Sequence, residues 1–169
     1  MLALILIVFG ILLRFVQHAP NFTPVAAIAL FGGLYLNKRY ALIVPLVLMI
    51  LSDLYIGMHN VVLFTWGGFA LVALMALRYN KHKSALGVAS LSLGSSILFY
   101  AVSNFGVWLM GWYPRTLKGL VDCYVMGLPF LRDFTIATFF YAFLFSGIYA
   151  LVARLVKDTK FSSVLLENR

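Results

Sequence analysis

The stretch "VDCYVMGLPFLRD" (residues 121–133) decides how the last third of this chain folds. It holds the only cysteine, two of the five acidic residues and one arginine, around a short apolar run closed by Pro129, in a chain that is 63% hydrophobic. From just upstream, Leu117, Leu120, Val121, Tyr124, Val125 and Leu128 recur at helical spacing, and Pro114 suits a first-turn position. The pattern predicts a short amphipathic helix ended by Pro129, followed by a separate last helix with Asp133 at its N-terminal end, where a negative charge is favoured. Such a helix either covers a bundle from the interface or walls a pocket. The second reading requires other polar residues on the same side.

The rest of the chain says what bundle this is. A mean hydropathy of +1.00 and 11% charged residues, against about a quarter in soluble domains, indicate a polytopic membrane protein. The 169 residues leave room for one membrane domain, 1–169, and no separate soluble one. Apolar runs fall at about 1–16, 23–36, 41–57, 61–77, 85–110 and 134–156. The expected fold is therefore all-α and integral to the membrane, with six transmembrane helices and the short amphipathic helix between helices 5 and 6. The first run has no basic n-region and no small-residue cleavage site after it, so it reads as a retained helix. A single cysteine excludes an internal disulfide and a cysteine-based metal cluster.

The charges carry orientation. Lys38, Arg39, Arg78, Lys81, Lys83, Arg154, Lys157, Lys160 and Arg169 fall on one side of the six spans; Arg115, Lys118 and Arg132 fall on the other, with Arg14 near the end of the first helix. The positive-inside rule then places both termini in the cytoplasm. This accounts for the net charge of +8 without nucleic acid, which is not an expected partner. The lipid bilayer is.

With that orientation the unexpected polar residues gather at the outer face. They are Arg14, Asn21, Thr23, Asp53, His59, Asn104, Trp108, Cys123, Tyr124 and Arg132, the candidate substrate-binding set. Ionisable groups inside a membrane are costly and usually face a partner or a cavity. Arg14 and Asp53 are expected to make polar contacts within the protein, with each other as one candidate pair. For Arg14, snorkelling to the headgroups is an alternative of equal weight. Asn21 and Thr23 either cap helix 2 or border a short helix whose amides face a cavity. Trp108 belongs to an interfacial belt or to a ligand site. Cys123 is a small buried hydrophobe or a ligand. His18, His59 and His82 lack a ligand spacing, and there is no phosphate loop, His-Glu-x-x-His or Gly-x-Ser-x-Gly. No metal site, cofactor or catalytic residue is expected.

The segments "PNFTPVAAIALFGG" (20–33), "PLVLMILSDLYIGMHN" (45–60) and "DCYVMGLPFLRD" (122–133) resemble a family of small bacterial membrane proteins without an established function. More distantly, the size and layout are similar to the substrate-binding S components of energy-coupling factor (ECF) vitamin transporters. That resemblance implies an inner-membrane uptake protein. It would bind a vitamin-like or metal-containing small molecule from outside, with a membrane partner and ATPases supplying energy. "MLALILIVFGILLRFV" lacks the Ala-x-x-x-Ala docking signature of those components, which leaves a solitary transporter as an option. Some solitary relatives import cobalamin, whose cobalt a cysteine thiolate can bind. The alternative is a structural or assembly subunit whose polar face docks a partner protein. An enzyme using Cys123 as nucleophile would need His18 or His59 beside it as base.

Overall fold

The structure, a computed structural model, describes residues 2–15, 22–79 and 84–156. Those residues form six helices and no strands: α1 (Leu2–Phe15), α2 (Val25–Tyr35), α3 (Lys38–Ile56), α4 (Val62–Tyr79), α5 (Ala85–Leu109) and α6 (Leu117–Val156). By length and composition α3, α4, α5 and α6 are able to cross a membrane. The 14 residues of α1 and the 11 of α2 rise about 21 Å and about 16 Å, short of a hydrocarbon core of about 30 Å.

The local chemistry of the helix starts is conventional. Asn37 caps α3 by accepting from the Arg39 amide, and Ser84 caps α5 by accepting from the Gly87 amide. Thr116 does the same for α6, accepting from the Gly119 amide at 3.1 Å. At α2 the position before the first turn belongs to Pro24, with no side-chain cap, so Thr23 does not cap this helix.

Every residue of α2 is buried. The helix is apolar all round, which suits an element enclosed by others rather than one with a solvated face. α3, α4 and α6 cover most of it, and α1 and α5 touch it. Around it α1 packs on α3, α3 on α4, α4 on α5 and α5 on α6, and Phe9 of α1 meets Phe145 of α6 edge-on at 5.8 Å. Small residues set the distances. A Cβ on Gly33 would lie 2.9 Å from the Ala73 carbonyl oxygen and 2.9 Å from the Leu77 nitrogen, so α2 meets the α4 backbone directly. Gly32 rests on Ala41 of α3, whose carbonyl has no helical donor four residues on because Pro45 stands there.

Residues 117–156 depart from the pattern expected of a helix, a proline stop and a second helix. No separate amphipathic helix lies between helices 5 and 6, and no new helix starts at 134; α6 is one helix of 40 residues that continues through Pro129. Asp133 is therefore inside a helix and caps nothing. Proline here removes one hydrogen bond, to the Val125 carbonyl, while contacts with α5 hold the turns just before it. Tyr100 of α5 donates to the Tyr124 carbonyl, and Gly127 fits against Asn104 and Tyr100.

Candidate functional site

The ends of α1, α3 and α5 and the starts of α4 and α6 meet at one end of the bundle. Phe15 packs edge-on against Tyr55, and Trp112 donates to the Asn60 side chain at 3.1 Å. The α5–α6 link turns through Gly111, at φ +84°, a conformation that favours glycine. It is held by Trp108 Nε1 on the Pro114 carbonyl at 3.1 Å and by Arg115 on the Leu109 carbonyl at 3.0 Å. Two polar arrangements lie at this end, and they are separate.

The first is a closed network. Arg14 reaches from the last turn of α1 to Asp53 on α3, at 2.7 Å, and also donates to Ser52 Oγ at 2.8 Å. The other Asp53 carboxylate oxygen accepts from Trp66 Nε1 of α4 at 2.7 Å. Asp53 is 1% exposed and Arg14 17%. The pair anticipated from sequence thus exists, with a donor from a third helix that sequence did not suggest. Both charges are consumed by partners within the protein, so the arrangement ties α1, α3 and α4 together.

The second is a concave cavity of about 330 Å³ between α4, α5 and α6. Its polar wall includes Thr65, Tyr100, Ser103, Asn104 and Cys123, and its apolar base includes Phe99 and Phe134. Cys123 is 2% exposed, and its thiol faces the Asn104 carbonyl at 3.4 Å. The Asn104 amide nitrogen donates to the Tyr100 carbonyl at 2.9 Å, which fixes the side chain and leaves its Oδ1 beside Cys123 and Gly127. Cys123 therefore packs on α5 at the cavity wall rather than on an outward apolar surface.

Of the ten residues chosen from sequence, Asn104 and Cys123 line this cavity. Arg14 and Asp53 form the separate network. The Tyr124 hydroxyl donates to the Ala101 carbonyl at 2.7 Å and Trp108 to the Pro114 carbonyl, so both brace the backbone. Arg132 is 75% exposed and pairs with its neighbour Asp133 at 3.0 Å. Thr23 is half-buried beside Pro24. His59 is half-buried too, and its Nδ1 has no hydrogen-bond partner among the described residues. Asn21 and His18 lie outside the described residues. The polar face of 121–133 thus meets Asn104 but not Asp53. Sequence reasoning missed Thr65, Tyr100 and Ser103. Tyr100, Ser103, Asn104 and Val107 share one face of α5 by helical spacing, which was a readable signal once Asn104 had been chosen.

A family profile matches residues 1–161. The chain belongs to that family, DUF6580, a family of unknown function. No curated protein and no solved structure matches the chain.

Proposed function

We propose that this DUF6580 member is a multi-pass protein of the bacterial inner membrane that binds a small molecule from the outer side. Both termini are cytoplasmic in this reading, and the protein acts in uptake, either like an ECF S component or as a solitary transporter. The observation that carries the reading is the cavity between α4, α5 and α6. Its volume lies within the roughly 300–1,000 Å³ range of small-molecule sites. It combines a mostly apolar lining with a few convergent polar groups, as such sites do. Its concavity favours a ligand over the flat docking face that an assembly subunit would need. Lys38, Arg39, Arg78 and Arg154 lie toward the opposite end of the helices, which by the positive-inside rule supports reading the cavity end as the outer one.

The test is to purify the protein in mild detergent, extract it and identify bound small molecules by mass spectrometry. Ser103→Trp, which fills the cavity, serves as comparison. The reading expects a species present with the wild type and depleted with the variant. Equal amounts in both, or none in either, would overturn it. Orientation is tested with Ser84→Cys in a Cys123→Ser background. An impermeant maleimide should label it only from the cytoplasmic side, and labelling of intact cells from outside would reverse the orientation.

A further inference from the structure

The cavity has a floor, and what lies beneath that floor is polar. Phe99 of α5 stacks on Phe134 of α6 with ring centroids 4.6 Å apart, and on Phe69 of α4 at 4.4 Å. Phe99 and Phe134 both border the cavity. α5 and α6 run antiparallel past this stack. Their contacts descend in register, from Cys123 on Asn104, through Gly127 against Asn104 and Tyr100, to Phe134 on Phe99. One turn further, Thr138 comes to the level of Ser95 and Ser96.

Ser92, Ser95, Ser96 and Thr138 are each 0% exposed. Back-bonding to a carbonyl four residues earlier satisfies the hydroxyls of Ser92, Ser96 and Thr138, at 2.8, 2.9 and 2.7 Å. Small hydroxyl residues that bond backward are common where helices pack closely, and those three need nothing more. Ser95 differs. Its Oγ is buried with no hydrogen-bond partner among the described residues, a state that costs free energy and is rare in native proteins. Helical spacing places it on the same face as Ser92, Phe99 and Ser103, directly beneath the aromatic floor. Gly68 of α4 supplies the space in which the Phe99 ring sits, since a Cβ there would lie 2.9 Å from Phe99 Cδ2. Glycine disfavours a helix interior, so its use beside this ring calls for a reason, and room for the ring is one.

We infer that the stacked Phe99 and Phe134 rings are a gate between the cavity and a buried hydroxyl-lined seam at Ser92, Ser95, Ser96 and Thr138, forming an internal path for an uncharged, hydrogen-bonding solute. The inference rests on the cavity being the binding site proposed above, and extends it from binding to passage. The restriction to uncharged solutes follows from the lining. No residue bordering the cavity carries a formal charge, and none of the four seam residues does. An ion there would lose its hydration with no counter-charge to replace it. The unpartnered Ser95 hydroxyl is the group a passing solute or a water molecule would satisfy.

Accessibility labelling tests the gate without any knowledge of the ligand. Ser95→Cys is placed in a Cys123→Ser background and exposed in detergent to methyl methanethiosulfonate, which is small and uncharged. A trimethylammonium-bearing methanethiosulfonate is run in parallel. Mass spectrometry follows modification. With the gate intact, reaction with the uncharged reagent should be slow. In Phe99→Ala or Phe134→Ala it should accelerate at least tenfold, while the cationic reagent gains far less. Phe99→Leu, a milder change that keeps the core filled, should give an intermediate rate. Ala29→Cys in α2, also 0% exposed, controls for general loosening and should stay unreactive in every gate variant. The proposal is overturned if folded gate variants leave the Ser95→Cys rate unchanged, if Ala29→Cys accelerates in parallel, or if the cationic reagent gains as much as the uncharged one. Because labelling needs no ligand, failure here leaves the co-purification result intact. An empty cavity in that experiment would likewise be distinguishable from a gate that does not open.

Discussion

Replacing Asp53 by alanine should be among the most damaging single changes in this protein, and the structure sets its size. The carboxylate is 1% exposed and accepts from Arg14 at 2.7 Å and from Trp66 at 2.7 Å. Asp53→Ala leaves the Arg14 guanidinium, only 17% exposed, with Ser52 as a neutral neighbour and no counter-charge. Removing one partner of a buried ion pair costs about 3–5 kcal/mol. Orphaning the Trp66 N–H contributes to the same loss and is not added on top, because the groups form one network. For a chain of this size that corresponds to a melting temperature lower by about 6–20 °C. Arg14→Met combined with Asp53→Leu removes both charges and should recover much of the loss, since the pair as a unit is worth little over apolar packing. Thermal unfolding in one detergent, followed by circular dichroism, measures all of these. Asp122→Ala, at an exposed position on α6, is the reference and should change little. If Asp53→Ala and Asp122→Ala melt together, or if the double variant is no better than Asp53→Ala, the network is not the tie between α1, α3 and α4 described above.

Gly33→Ala should destabilise by about 1–3 kcal/mol, because the added methyl meets α4 backbone atoms that cannot rotate away. Unchanged thermal stability would mean that α2 and α4 are not so close. Pro129→Ala should keep helical content and melt no lower than wild type, since it returns a donor to an already continuous helix. A loss of ellipticity would instead favour a helix end at this residue. Cys123, at 2% exposure, should react slowly with a maleimide in the folded protein and rapidly after denaturation in dodecyl sulfate. Comparable rates in both states would place the thiol at the surface. Gly127→Val should push the Asn104 side chain into the cavity and lower the yield of any co-purified ligand. An undiminished yield would separate Asn104 from binding.

Composition and spacing alone determined that this chain is a bundle of apolar helices. The apolar runs read for α3, α4 and α5 lie within about three residues of the observed helix ends, because hydropathy is a local property. Arg14 and Asp53 were readable as partners for a related reason: a charge in an apolar helix must find a counter-charge, and few were on offer. The tertiary structure decided what no local pattern carries. Pro129 marks a helix end in sequence terms, yet α6 runs through it. The lost hydrogen bond is a fixed local cost, while Tyr100 on the Tyr124 carbonyl and Gly127 against Asn104 are contacts that exist only once α5 lies alongside. The same packing drew Asn104 and Cys123 together and left Arg132 paired with Asp133 at the surface, although the three look alike as scarce polar residues in sequence. It also put Ser95 beneath an aromatic floor made by three different helices. Which face of a helix is buried follows from periodicity, but which other face it meets depends on contacts distant along the chain, and those are set by the fit of side chains between helices.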